Sequence, residues 1–201
     1  MPNEPMVAQL FLVSPQAAEP HAFAQQLARV VAASEVACLL MRRHDRDADE
    51  YRRLIDAVLT IAQTAGCAVL IENDTALARE TGADGVHVTG GLTPLRNAIA
   101  VAKPGLIVGA GPVRTRHEAM TMGELDVDYL FFGDLAAPAD AQNRALAAWW
   151  AETFEVPSVL SGKVGQDAAG CEFLALGEAL WSGAEPAEAL VAQALQSLES
   201  A

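Results

Sequence analysis

The chain has 201 residues, 52% of them hydrophobic, and no low-complexity tract, which suits one compact domain over residues 1–201 with a sizeable core. A formal charge of −13 and a pI near 4.6 argue against the basic stripe that nucleic acid or an anionic membrane surface requires. No nucleic-acid or membrane partner is therefore expected, and any anionic ligand has to be held locally. No stretch approaches the roughly 20 apolar residues of a membrane span. Glu4 and Pro5 stand where a signal peptide needs cationic residues. Cys38, Cys67 and Cys171 are odd in number, widely spaced and flanked by apolar residues, which reads as reduced core thiols of a cytoplasmic protein rather than a metal site.

Along the chain, Gln9 to Val13 is the first apolar run and ends at Ser14-Pro15; Ala22 to Ala33 follows with helical spacing. Val36 to Met41 is the second strand and ends in Arg42-Arg43-His44-Asp45. A long helix runs from Asp49 to Ala65, and Gly66 stops it. Ala68 to Ile71 and Gly85 to Val88 are strands apolar on both faces, separated by a helix over Asp74 to Thr81, so they form a parallel βαβ unit covered on both sides. After a helix near Leu95 to Ala102, Pro104-Gly105 breaks the chain and Leu106-Ile107-Val108 makes strand five. Thr115 can cap the helix that holds Glu118-Ala119-Met120. Asp128 to Phe132 is strand six, Ala145 to Phe154 is helical, and Ser158-Val159-Leu160 is strand seven. A short helix is expected after Ser161-Gly162-Lys163, then Glu172 to Leu176 as strand eight. Pro186 to Leu198 closes the chain as an amphipathic helix with Pro in its first turn.

Eight strand-like runs alternating with helical ones predict an α/β fold, a single compact (β/α)8 TIM barrel with short loops, since such barrels usually take about 250 residues. An open flavodoxin-like sheet is the structural alternative. Closure gathers Ser14, Arg42, His44, Asn73, Asp74, His87, Thr89, Gly111, Asp134, Ser161, Gly162 and Gly177 around one mouth.

Read together, those strand ends resemble the thiamine phosphate synthase family, which includes the related thiazole tautomerases. Asn73-Asp74, Leu77-Ala78 and Gly82-Ala83-Asp84-Gly85-Val86-His87 stand in the order family members show. Weaker matches flank this block: Leu40-Met41-Arg42, Gly109, Glu118-Ala119, Asp128-Tyr129 and Gly170-Cys171-Glu172-Phe173. The likeness spans roughly Leu10 to Trp181. It implies a barrel that joins a hydroxymethylpyrimidine diphosphate to a thiazole phosphate, with pyrophosphate leaving on Mg²⁺. Charge accumulates on that leaving group, so cations, amide donors and a metal aimed at it lower the barrier. By the same resemblance Arg42 would hold the pyrophosphate, Asn73 would donate a hydrogen bond to it and Asp74 would bind Mg²⁺.

Several positions depart from the family pattern. His44 stands where the family has Lys, replacing a fixed cation by a group with a pKa near 6.5. Leu92 stands at the place of the second metal carboxylate and cannot ligate a hard cation. The serine after strand five falls on Gly111 or Pro112, and the tautomerase histidine on Arg114. The Thr-x-Thr-Lys loop after strand six becomes Gly133-Asp134-Leu135-Ala136-Ala137-Pro138, with an acid where an anion should sit. The Gly-Gly phosphate turn becomes Ser161-Gly162-Lys163, keeping one glycine and adding a cation.

Structural roles compete with each of these. Asn73-Asp74 could simply cap the next helix. Arg42, Arg43, Arg46, Arg52 and Arg53 could be a solvated face. His87, among apolar neighbours, reads better as a hydrogen-bonded barrel histidine than as a catalytic one. His44 has the same two readings, ligand contact or solvated face, and Gly162-Lys163-Val164-Gly165 form either a phosphate cradle or a plain turn. Trp149-Trp150 offer either a homodimer surface or a partly exposed core tryptophan. Three classes of function follow: an enzyme of this family with impaired or altered activity, a non-catalytic barrel that binds a phosphorylated ligand such as thiamine phosphate, and a structural barrel that works through a partner.

Overall fold

The computed structural model describes residues 7–200, so Glu4 and Pro5 lie outside the described residues. Each short run with apolar residues on both faces becomes a strand: β1 Gln9–Val13, β2 Cys38–Met41, β3 Ala68–Glu72, β4 Gly85–Val88, β5 Ile107–Val113, β6 Tyr129–Phe132, β7 Ser158–Ser161 and β8 Phe173–Leu176. All pair in parallel with their sequence neighbours, and β8 returns to β1, closing the ring. The helices are α1 Pro20–Ala33, α2 Ala48–Thr64, α3 Thr75–Thr81, α4 Leu92–Ala102, α5 Arg116–Gly123, α6 Ala141–Thr153, α7 Glu178–Ser182 and α8 Ala187–Glu199. Among the described residues no helix is long and apolar enough to cross a membrane.

Alternation along each strand divides the core in two. Phe11, Val13, Cys38, Leu40, Leu70, Tyr129, Phe131, Val159 and Ala175 point into the lumen and pack on one another. Their neighbours Leu10, Leu12, Leu39, Met41, Val69 and Ile71 face outward, into the layer under the helices. Local chemistry starts the helices. Asp47 and Glu50 form a reciprocal capping box on α2, and Thr115 and Asp140 cap α5 and α6.

At the foot of the barrel a carboxylate recurs ahead of each later even-numbered strand and accepts a hydrogen bond from the strand before it. Asp84 takes the Val69 amide at 2.7 Å, Asp128 the Val108 amide at 2.6 Å, and Glu172 the Ser158 amide at 2.7 Å. The matching place before β2 is Ala37, which has no such side chain.

Three elements differ from expectation. No helix forms between β7 and β8. There Gly165, Ala169 and Gly170 take positive φ, which ends any helical path, and Arg144 of α6 pairs with Asp167 to pin the loop. A short helix, α7, instead follows β8, and its Trp181 donates from the indole to the Val13 carbonyl at 2.7 Å. Strand β5 also runs on to Val113, past the glycines that suggested an earlier end.

Candidate active site

The C-terminal strand ends form the mouth of the barrel. Arg42 follows β2 on the lumen-facing parity of Cys38 and Leu40. Its backbone amide donates to Ser14 Oγ at 2.8 Å, fixing the strand end to β1. Its guanidinium reaches Glu72 Oε1 through Nη2 at 3.5 Å, while Nε is buried without a partner. The other carboxylate oxygen, Glu72 Oε2, accepts the Arg43 amide at 2.9 Å. Tyr51 braces this corner from α2. Its hydroxyl donates to the Met41 carbonyl at 2.5 Å and accepts from the Glu72 amide at 3.0 Å.

The arginine cluster thus divides by role. Arg46 donates to the Gln16 and Ala18 carbonyls at 2.7 and 2.9 Å, tying the loop after β1 to the loop after β2. Arg52 lies on the surface with Glu80. His44 has φ +50°, with Nε2 buried and unpartnered, and burial followed by the Arg42 charge lowers its pKa. It therefore stands beside Arg42 as a neutral imidazole.

Asn73 and Asp74 both make local structural contacts. Asn73, at φ +58°, donates from Nδ2 to Thr89 Oγ1 at 2.7 Å and accepts the Thr89 amide on Oδ1 at 2.8 Å, lacing β3 to β4. Asp74 Oδ1 accepts the Leu77 amide at 2.9 Å and caps α3. Among the described residues no three His, Cys, Asp or Glu side chains come together as a metal site. Leu92, at the place of the second carboxylate, is 37% exposed. Magnesium wants near-octahedral oxygen ligation, and one capping carboxylate does not supply it.

After β7, the Gly162 amide already donates to the Ala175 carbonyl at 2.9 Å, and the Lys163 amide donates to Gln166 Oε1 at 3.3 Å. Those two backbone donors are committed, while the Lys163 side chain is exposed. Ser161 Oγ is buried without a partner. The loop after β6 turns back over the lumen: Asp134 Oδ1 accepts the Ala136 amide at 2.7 Å, and Leu135, 6% exposed, packs into the luminal cluster. Beneath it, between Phe131, Ser161, Ala175 and Gly177, a cavity of about 30 Å³ remains. That is room for a water rather than a substrate.

His87 sits below the mouth, fully buried, with Nδ1 2.8 Å from the Tyr129 hydroxyl and the rings stacked. Burial and then Arg42 lower its pKa to about 3. The arrangement depends on Gly109, because a Cβ there would lie 1.9 Å from the Tyr129 ring. This is the hydrogen-bonded barrel histidine expected from its neighbours. His117 is exposed on α5. Trp150 is buried and donates to the Val156 carbonyl at 2.8 Å, whereas Trp149 is half-buried under the Arg116 guanidinium, 4.4 Å from its ring centroid.

Sequence reasoning passed over three residues of the mouth: Glu72, Leu135 and Arg46. Glu72 carried a readable signal, a charge on the luminal parity of Ala68 and Leu70.

Comparison with known proteins agrees with this architecture. Residues 10–175 match the family model described as thiamine monophosphate synthase. The chain is 32% identical over 184 residues to the thiamine-phosphate synthase of Rhodospirillum centenum, covering 86% of this chain and 89% of that one. It is 31% identical over 192 residues to the thiamine-phosphate synthase of Hyphomonas neptunium, covering 86% of each. The thiamine phosphate pyrophosphorylase of Pyrococcus furiosus superposes with a TM-score of 0.80 over 98% of both chains at 19% identity, which speaks to the fold. An (S)-3-O-geranylgeranylglyceryl phosphate synthase from Thermoplasma acidophilum shares that fold at TM-score 0.71 and 13% identity. The sequence matches go further than the fold, and this chain belongs to the thiamine monophosphate synthase family.

Proposed function

We propose that the barrel takes a phosphorylated pyrimidine or thiazole ligand at its mouth and carries out the family's coupling of hydroxymethylpyrimidine diphosphate to thiazole phosphate at a much reduced rate. The observation that carries the reading is Arg42, a guanidinium at the mouth whose buried Nε has no partner. In this role Arg42 faces the pyrophosphate and Asn73 donates a hydrogen bond to it, while the exposed Lys163 side chain and His44 contribute to holding phosphate and Gly162, its amide bonded to Ala175, shapes the turn that carries Lys163. A magnesium ion would have Asp74 as its family-matched carboxylate and would neutralise charge on the leaving pyrophosphate, but Asp74 already caps α3 and would hold it only through its remaining oxygen lone pairs.

The reduced rate follows from what surrounds Arg42. Glu72 shares its charge, Asp134 stands on the loop expected to handle phosphate, and Leu135 fills the space beneath that loop. Losing one preorganised donor at a developing anion costs on the order of 10²-fold, and several are replaced at once. The test is thiamine phosphate formation from the two substrates with Mg²⁺. Turnover near about one per second or faster, within the ordinary enzyme range, overturns the reading.

The seat of Leu135 in the lumen favours a second reading, a barrel that binds thiamine phosphate without catalysis. Calorimetry separates the two: binding that weakens in Arg42→Ala, with no product formed, selects the binder. The same reading places the protein in the cytoplasm, consistent with free, buried Cys38, Cys67 and Cys171, and away from nucleic acid, consistent with its charge. Homodimerisation through the Trp149 side of α6 is part of it and is decided by sedimentation.

A further inference from the structure

Glu72 is a charged residue in a place built for apolar ones. Residues 68 and 70 of β3 share its parity, and Leu70 packs into the lumen. Glu72 is itself 8% exposed. A buried carboxylate next to an arginine ordinarily settles into a short, two-point contact. This one does not. Its firm bond, at 2.9 Å, goes to the Arg43 backbone, while the guanidinium is touched once, by Nη2 at 3.5 Å. Arg42 Nε, buried alongside, has no acceptor. Glu72 is thus anchored to the main chain and rests only loosely on the cation, which keeps capacity for a two-point oxyanion contact.

We propose that Glu72 is a specificity-determining residue: an internal counter-anion that occupies Arg42 when no ligand phosphate is present and sets how tightly the mouth takes an oxyanion. The inference rests on the reading of Arg42 given above. A phosphate arriving at the guanidinium meets a carboxylate fixed within a few ångströms, and the like charges repel in a partly desolvated corner. The more charge the ligand carries, the larger the opposing effect, so Glu72 discriminates most strongly against diphosphates. Neighbouring acids do not duplicate it, because Asp74 faces its own helix amide and Asp134 its own loop amide.

The test uses the full chain and inorganic pyrophosphate, measured by calorimetry on wild type, Glu72→Gln and Arg42→Ala/Glu72→Gln. Glutamine removes the charge and keeps an oxygen for the Arg43 amide. The expected result is a Kd for pyrophosphate at least about tenfold lower in Glu72→Gln, as removal of a like charge at a binding site implies. The gain should be smaller for inorganic phosphate and absent in the double variant. A purely structural role would not give this dependence on ligand charge. Thermal unfolding checks that the variants are folded, and if Gln at 72 disturbs the fold, Glu72→Ala has to show the same gain. A folded variant that binds pyrophosphate no more tightly than wild type, or a gain that survives loss of Arg42, overturns the inference. The two failures are distinguishable. If wild type binds thiamine phosphate through Arg42 but Glu72→Gln gains nothing, only the role of Glu72 falls. If Glu72→Gln gains through Arg42 while thiamine phosphate neither binds nor forms, the proposed function falls and Glu72 keeps its role.

Discussion

Replacing Tyr51 by Phe removes one oxygen atom from a fully buried position. That oxygen sits between the Met41 carbonyl and the Glu72 amide, one step beyond Met41 and Ile71, the last residues paired between β2 and β3. Its loss leaves an acceptor and a donor unpaired, each costing about 1–3 kcal/mol when buried. Some relaxation of the strand ends is expected, so the net loss should be about 2–4 kcal/mol. For a chain of this length that corresponds to a fall of about 4–16 °C in Tm. Urea unfolding followed by circular dichroism measures it, with an unchanged slope showing that the same surface is exposed. A loss below about 0.5 kcal/mol, the usual range for an inconsequential site, would refute the reasoning. It would mean that the carbonyl and amide close on each other without help, and that Tyr51 does not hold the corner carrying Arg42 and Glu72.

Two further outcomes are expected. Gly109→Ala forces a Cβ to within 1.9 Å of the Tyr129 ring; overpacking of this kind costs about 1–3 kcal/mol or more, thermal unfolding reads it, and an unchanged Tm would show that the ring moves freely. The pH response of His87 has a definite sign, because burial and Arg42 lower its folded pKa to about 3. As pH falls below about 6.5 the unfolded chain takes up that proton first. The stability present above that point is then lost, by roughly 1–2 kcal/mol between pH 6.5 and 5. His87→Asn should remove this part of the slope, and parallel stability curves for the two proteins would contradict it.

All eight strands were legible because a strand apolar on both faces is a local pattern, and its burial in a parallel ring follows from it. The helix expected after Lys163 failed for a local and a non-local reason: Gly165, Ala169 and Gly170 take positive φ, and Arg144, from another element, pins the loop through Asp167. Arg46 looked like one cation of a solvated cluster, since nothing near it in sequence shows that two carbonyls from the loop after β1 would close around it. Leu135 read as a loop residue until the turn begun by Asp134 carried it inward. At the mouth, sequence named the strand ends but not the pairings that nearby strands bring to them: Glu72 beside Arg42, Thr89 beside Asn73 and, from two strands on, Tyr129 beside His87.

The three carboxylates at the barrel foot change what the family likeness means. Asp84, Asp128 and Glu172 lie in three of the stretches by which the chain resembles its relatives, yet each is spent on a neighbouring strand's amide, at the end of the barrel away from Arg42. These three letters of the resemblance serve ring closure. Because that text and the text of the mouth are written at opposite ends of the same strands, either can be revised without touching the other. A lineage can thus keep its signature intact while its chemistry is rewritten.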